Sequence, residues 1–515
     1  MVATTLPHSE TQAPSPRPRR RWWFPLAAVL LGLSPLLAFE GVCLLFGWGR
    51  PSVHDDPFVG FRGVQPLFVA SDDGSRYEIP KARQAFFRPE SFAAKKPRDA
   101  YRIFCLGGST VQGRPFAIET SFTTWLELSL EAADPSRPFE VINCGGVSYA
   151  SYRLVPILEE VLQYEPDLIV LYTGHNEFLE DRTFDHIQRR GRLLNASLEL
   201  ASHTRTFNLL REGYLRASGV PTEPEGRPIL PTEVEALLDY KGGLEEYHRD
   251  DDRRQGVIAH YRYNVGRMVR MAEEAGVPMI LVNPVANLRH SPPFKSEHRA
   301  DLTPAELARW QALCESAASH LRREHYDLYQ AIDEYEQACR LDPLHAGGFF
   351  NLARCYEAAG KLDLAREAFV QAKELDVCPL RIVEPMHEAV LEIAEASGTP
   401  LLDAQALFAG RTPSGIVGSD WLVDHVHPSI EGHQLLADAL AGMLVEQGVV
   451  TPRPEWEEAK REHFREHFAS LDDLYFLRGT RRLTSLKEWA QGRSELLRPE
   501  TGDAKEMPDD ADGQE

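Results

Sequence analysis

Residues 102–110 read RIFCLGGST, an apolar run that ends in two glycines, a serine and a threonine. A short continuous apolar run bounded by a turn signal suits a strand buried on both faces. The paired glycines let the chain turn sharply at the strand end and leave room around Ser109. A serine in that position can turn its own N–H into the same space, and the helix start that comes next adds positive potential. The pattern is not the G-x-S-x-G elbow, because Val111 stands where the last glycine would be. By itself GGST is explained equally well as a polar strand-to-helix turn.

Similar apolar runs occur at 139–143, 168–173, 278–283 and 400–402. Amphipathic helical stretches separate them at 121–133, 151–164, 258–275 and 386–396, and a last helix is expected to start near Ser429 behind Pro428. Strands alternating with helices imply an α/β fold, a parallel sheet covered by helices on both faces. Three more polar segments fall at the ends of these elements. VINCGGVSYAS (141–151) places Asn143, Gly145 and Gly146 in a tight turn, with Ser148 where a backbone N–H could face Ser109. LYTGHNEF (171–178) ends its strand at Gly174 and offers the side-chain amide of Asn176. The carboxyl ends of parallel strands are where open α/β sheets place ligands. WLVDHVHPSIEGH (421–433) sets Asp424 and His427 three residues apart. Within one turn that carboxylate can hold one imidazole nitrogen and leave the other facing a hydroxyl. Histidine suits the task because it exchanges a proton near neutrality.

In order, these four segments resemble the signature blocks of SGNH (GDSL-like) hydrolases: a Ser block, a Gly block, an Asn block and a closing Asp-x-x-His. The resemblance covers roughly residues 100–180 and 275–450. It implies a three-layer, flavodoxin-like fold and an ester hydrolase that needs no cofactor and no metal. Ser109 would be the nucleophile, His427 the general base and then acid, and Asp424 the orienting carboxylate. The N–H of Ser109, the N–H of the Gly-block residue and the side chain of Asn176 would form the oxyanion hole. Two positions depart from the pattern. Ser148 stands where the family has the Gly-block glycine, which leaves Gly146 as a fallback donor, and GHNE replaces the common GxND with Asn176 intact. Glu177 then has a structural role.

Other residues also invite a chemical reading. His425, His427 and His433 with Asp424 could suggest a metal site, but the proline-anchored turn and the upstream serine fit a triad better. His175 reads as a loop or core histidine. Asn287, Arg289 and Lys295 come after the fourth strand and could contact substrate or sit in a solvated loop.

The periphery is also informative. A net charge of -21 argues against a nucleic-acid partner. Seven cysteines without C-x-x-C spacing indicate neither a zinc ribbon nor a redox pair, and Cys43, Cys105 and Cys144 read as small core hydrophobes. Residues 22–48 form an apolar stretch, with Pro25, Pro35 and Glu40 inside it, preceded by Arg17, Arg19, Arg20 and Arg21. Its length suits ~30 Å of hydrocarbon. The basic flank leaves residues 1–21 in the cytoplasm and exports the chain after residue 50 to the periplasm or cell surface. Residues 345–376 resemble a tetratricopeptide repeat, with Asn351, Leu352, Ala353, Tyr356, Gly360, Ala365, Phe369 and Ala372 at its packing positions. A weaker unit ending at Pro343 precedes it, its first helix running through Trp310 and Leu313.

The expected organisation is a cytoplasmic N-terminus (1–21), a transmembrane helix (22–48), an extended arm (51–98) and a hydrolase domain in two parts (99–302 and 379–450). A polar, partly helical insertion at 180–255 is a candidate lid. The tetratricopeptide-like insertion at 303–378 contains no catalytic block and is expected to dock a protein partner, while packing on the catalytic domain. C-terminal helices (451–498) and a disordered acidic tail (499–515) complete the chain. The expected substrate is an acyl ester, such as an acetyl or other acyl group on an envelope glycan or lipid. The rival readings are an acyltransferase that passes the same acyl group to a sugar hydroxyl, and a non-catalytic envelope scaffold.

Overall fold

In the computed structural model, residues 23–46, 48, 66–180, 204–207, 209–210, 243–322 and 326–493 are described. The expected cytoplasmic N-terminus, most of the 180–255 insertion and the acidic tail lie outside them. The chain divides into two units, Met1–Asp55 with Arg192–Gly226, and Asp56–Gly191 with Arg227–Glu515.

In the first unit the apolar stretch forms helix α1, Trp23–Phe46. Glu40, its one charged residue, accepts hydrogen bonds from the N–H groups of Arg205 and Thr206, each at 2.7 Å, and from the Thr206 hydroxyl at 2.6 Å. Side chains of α1 are described mainly in its C-terminal half. Among the described residues no helix is long and apolar enough to cross a membrane, so the span expected at 22–48 is not carried by them.

The second unit is built on a five-stranded parallel sheet. Its strands are β4 (Tyr101–Gly107), β5 (Phe139–Gly145), β6 (Leu168–Tyr172), β7 (Met279–Asn283) and β8 (Leu401–Asp403), in the order β5-β4-β6-β7-β8. Renumbered along the sheet this is 2-1-3-4-5, the flavodoxin-like doubly wound order, and its topological switch lies between β4 and β6. β4, β5 and β6 are buried along nearly their whole length, which is why they read as unbroken apolar runs rather than alternating ones. One face carries Ile103, Cys105, Val170, Ile280 and Val282, packed under helices Phe122–Ala133 and Ile430–Glu446. Trp125, fully buried, anchors that layer, and each large apolar side chain so buried is worth roughly 1.5–3 kcal/mol. The opposite face lies under Ser151–Val161, Asp251–Ala275 and Glu384–Ser397. The architecture is therefore α/β with three layers.

Capping accounts for several helix starts. Ser121 accepts from the Thr123 N–H, Asp250 from Arg253 and Ser429 from Gly432. Between β7 and β8 the chain inserts four helices, Pro304–His320, Leu328–Leu341, Ala346–Ala358 and Leu362–Glu374, each in contact with the next. The first opens on a capping box made by Thr303 and Glu306, with Pro304 in its first turn. Ala331, Ala353, Ala365, Ala368 and Ala372 keep these helices close, and Leu288 and Ile416 tie their core to the α/β domain.

Of the expected extended arm, residues 51–65 lie outside the described residues, and the rest is not simply extended. From residue 66 onward it contains a three-stranded antiparallel sheet, β1 (Val69–Ala70), β2 (Arg76–Glu78) and β3 (Ser91–Ala93). Strands of two or three residues are too short to show periodicity. They are held from outside instead: Glu160 accepts from the Leu67 and Phe68 N–H groups, and Arg102 donates to Ala93 O at 2.8 Å. Two C-terminal helices, Trp456–Ser470 and Asp473–Arg493, come after the domain.

Candidate active site

Gly107 pairs with Gly145 on one side and Tyr172 on the other, so β4, β5 and β6 end level at the carboxyl edge. The three polar loops therefore begin at one height around the switch point. They also come into contact. A Cβ on Gly108 would lie 2.7 Å from Asn176 Nδ2, 3.6 Å from Tyr149 O and 3.8 Å from Gly146 O, so only glycine permits this approach. Asn143 fastens the layer below. Its amide nitrogen donates to Val111 O at 2.7 Å and to the Thr123 hydroxyl at 2.9 Å, while its oxygen accepts from Gly145 N–H at 3.0 Å.

Ser109 opens the short helix Ser109–Gln112 and is 8 % exposed. Its Oγ lies 2.7 Å from His427 Nε2, and His427 Nδ1 lies 2.6 Å from Asp424 Oδ2. Three residues separated by up to 318 positions thus form one hydrogen-bonded line. The other oxygen of Asp424 accepts from the N–H groups of Val426 at 2.9 Å and His427 at 2.8 Å. Burial opposes ionisation of Asp424, but the His427 and His425 imidazoles and the hydrogen bonds from His427 hold its carboxyl well below the usual range. A carboxylate only accepts, so His427 Nδ1 carries the proton and Nε2 presents its lone pair to the Ser109 hydroxyl. The turn itself is closed by Val423 N–H on His427 O at 2.9 Å and Ser429 N–H on Trp421 O at 2.7 Å.

The candidate oxyanion donors sort by where their N–H groups go. Gly146 N–H is committed to Gly107 O at 3.0 Å, Val147 N–H to Phe86 O at 2.8 Å and Tyr149 N–H to Gly146 O at 3.2 Å. Among the described residues the N–H groups of Ser109 and Ser148 have no hydrogen-bond partner, whereas that of Gly146 is taken. Ser148 sits in the left-handed region at φ +61°. Asn176 donates one amide hydrogen to Tyr149 O at 3.1 Å and keeps the second.

The remaining residues with chemical potential are engaged by neighbouring groups. Glu177 accepts from the Ser151 N–H at 2.7 Å and hydroxyl at 2.8 Å, capping helix Ser151–Val161. His175 is buried, kept neutral by burial and by the neighbouring His425 and His427 rings, and accepts from Ile382 N–H at 3.2 Å. His433 accepts from Phe122 N–H at 3.2 Å and stacks on the Phe122 ring. Among the described residues no group of His, Cys, Asp and Glu is arranged to hold a metal. Asn287 is not in a solvated loop: it is buried, and its amide donates to Asp424 O at 2.9 Å. Lys295, also buried, donates to Leu244 O at 2.8 Å and to Tyr247 O. Arg289 pairs with Glu357 and Asp420. Arg381 and Asp376, which brace the loop that holds the Asp424 turn, carry no sequence signal.

No protein-family model matches the chain, and no curated protein matches it. Solved structures that resemble it include an acetylxylan esterase from Geobacillus stearothermophilus, at 15% identity and TM-score 0.30, covering 69% of this chain and 97% of that one. A lipase/acylhydrolase from Enterococcus faecalis shares 12% identity at TM-score 0.30, covering 68% of this chain and 98% of that one. An alpha/beta hydrolase from the metagenome of Lake Arreo, Spain, shares 13% at TM-score 0.29, covering 68% and 95%. Likeness at these scores carries no argument about activity.

Proposed function

We propose that the chain is a serine esterase of the SGNH type, with Ser109, His427 and Asp424 as its triad. The observation that carries this reading is the unbroken line from Asp424 through His427 to Ser109 Oγ, with both hydrogen bonds at 2.7 Å or less. In the reaction Ser109 Oγ attacks the acyl carbon while its proton passes to His427 Nε2. The carbonyl oxygen becomes negative and is held by Ser109 N–H, Ser148 N–H and the spare amide hydrogen of Asn176. Collapse expels the alcohol, which takes the proton from His427, and leaves an acyl-serine. Water, deprotonated by the same imidazole, releases the carboxylic acid and restores Ser109. Asp424 stabilises the imidazolium in both halves without being protonated.

The substrate class we favour is an acyl ester on an envelope glycan or lipid, with the domain held outside the cytoplasm by the apolar stretch 22–48. Support for the anchor is the basic cluster before an apolar stretch whose one charged residue is Glu40. The four-helix insertion, read as tetratricopeptide-like, would serve a protein partner. The test of the central reading is Ser109→Ala, which removes the attacking oxygen and keeps the oxyanion donors. Its kcat toward a chromogenic acetyl ester should fall by about 10⁴–10⁶. A fluorophosphonate should label Ser109 in the parent and nothing in the variant. Near-parent turnover by Ser109→Ala would overturn the mechanism.

A further inference from the structure

The segment that leaves the helical insertion, residues 375–383, is bonded on one side to the loop that holds the Asp424 turn and on the other to His175, beside Asn176. Asp376 is buried and accepts from the N–H groups of Phe294 at 2.8 Å, Lys295 at 3.1 Å and Cys378 at 3.0 Å. Arg381, 3 % exposed, lies 3.6 Å from Asp376 and donates through Nη1 to Asn287 O at 2.9 Å and Ser291 O at 2.7 Å. Asn287 in turn holds the catalytic turn twice: its side chain donates to Asp424 O, and its N–H donates to His425 O, each at 2.9 Å. On the other side Ile382 N–H donates to His175, and the Ile382 side chain packs within 2.7 Å of where a Cβ on Gly174 would be. His175 and Gly174 immediately precede Asn176.

A buried ion pair is a weak device for stability, because desolvating both charges offsets much of their attraction and a well-packed apolar pair often serves as well. What a guanidinium adds is direction: its planar donors fix two carbonyl oxygens relative to each other. Here the fixed carbonyls belong to the loop that carries Asn287. We propose that Arg381 is a positioning residue for the Asp424–His427 pair, so that the exit segment of the helical insertion is a working part of the active site. The proposal rests on the esterase reading. It also means that the insertion cannot be deleted as a docking module without disturbing the chemistry.

The test uses the full-length protein, with kcat and KM for p-nitrophenyl acetate and the rate of fluorophosphonate labelling at Ser109. Arg381→Met should lower kcat and the labelling rate by about 10- to 100-fold, since a displacement near 1 Å at the reacting groups costs that much, while KM stays nearly unchanged. The double variant Asp376→Asn/Arg381→Met removes both buried charges. It should keep the kcat deficit even though its melting temperature stays below the parent's, because the amide nitrogen it introduces faces an N–H that Asp376 accepts, and it carries the test alone if Arg381→Met does not fold. Phe369→Leu, in the core of the insertion and away from this chain of bonds, should lower the melting temperature without changing kcat. A double variant with parent kcat, or a Phe369→Leu variant with the same kcat loss, overturns the positioning role. Absence of Ser109 labelling in the parent overturns the esterase reading beneath it, whereas a labelled parent with unslowed variants overturns the positioning role alone.

Discussion

Under the esterase reading, Asn176→Ala isolates one proposed oxyanion donor from the rest of the site. The amide must face Tyr149 O with its nitrogen, because its oxygen there would oppose another acceptor, so one N–H is spent at 3.1 Å and one remains. Ser109 N–H and Ser148 N–H stay in place in the variant, and one donor of three is lost. Loss of a single such donor lowers kcat by about 10²–10³, or ~2.7–4 kcal/mol, with KM little changed. The stability cost is smaller. One neutral hydrogen bond is worth about 1 kcal/mol, and Asn176 is only half-buried, so water can reach the vacated Tyr149 oxygen. Activity should therefore fall far more than the melting temperature does. Asn176→Asp should be worse than alanine, since a carboxylate cannot donate and adds a negative charge beside the developing one. The assay is steady-state hydrolysis of a chromogenic ester, normalised to active sites by fluorophosphonate titration. An alanine variant within about threefold of the parent, or one equal to the aspartate variant, would refute Asn176 as a donor.

Ser148→Gly should keep kcat and gain up to about 1 kcal/mol of stability, because φ +61° strains any residue with a Cβ and the esterase reading calls only on the backbone N–H. A tenfold loss of activity in calorimetrically intact protein would show that the hydroxyl acts. Burial pushes the carboxyls of Glu90, Glu127 and Glu177 up to about 7, from an ordinary value of 4.5. Between those values the folded chain binds protons at these three carboxyls that the unfolded chain has released. Their contribution to stability therefore falls as pH rises through about 4.5 to 7, while buried histidines held neutral in the fold, such as His425 and His433, contribute in the opposite direction. The Tm of the parent minus that of Glu127→Gln should therefore fall as pH rises across that range, and a difference that grows instead would contradict the assignment.

The strands are legible in the sequence because burial on both faces leaves an unbroken apolar run, and their observed ends lie within two residues of the expected ones. Ser109, Asn176, Asp424 and His427 are legible because each stands at a turn signal where its residue type has a chemical use. Their assembly is legible only through the resemblance of the four blocks taken together, since 318 positions separate Ser109 from His427 and no local pattern encodes that contact. Choosing Ser148 over Gly146 requires knowing that Gly146 N–H is already bonded to Gly107 O. Asp376 and Arg381 sit in DVCPLRIV, which reads like any mixed loop. Their meaning comes from the backbone groups they meet at residues 287–295. The small antiparallel sheet leaves no local trace for a related reason, being held by Glu160 and Arg102 rather than by its own periodicity.

The cover over Trp125 has a consequence for how the chain is born. Its ring packs 4.7 Å from Phe464, and the layer around it is closed by Ile430–Glu446. A ribosome adding about 5–20 residues per second needs on the order of tens of seconds to reach those helices after Trp125 has emerged. Through that interval Trp125, Leu126 and Leu130 have no lid, so the nascent chain is a natural client for a holdase. It is also inert under the esterase reading, because Ser109 waits for an imidazole 318 residues further along the chain. Under the esterase reading, catalysis begins only once synthesis has passed His427, and a chain abandoned midway carries a nucleophile that cannot act.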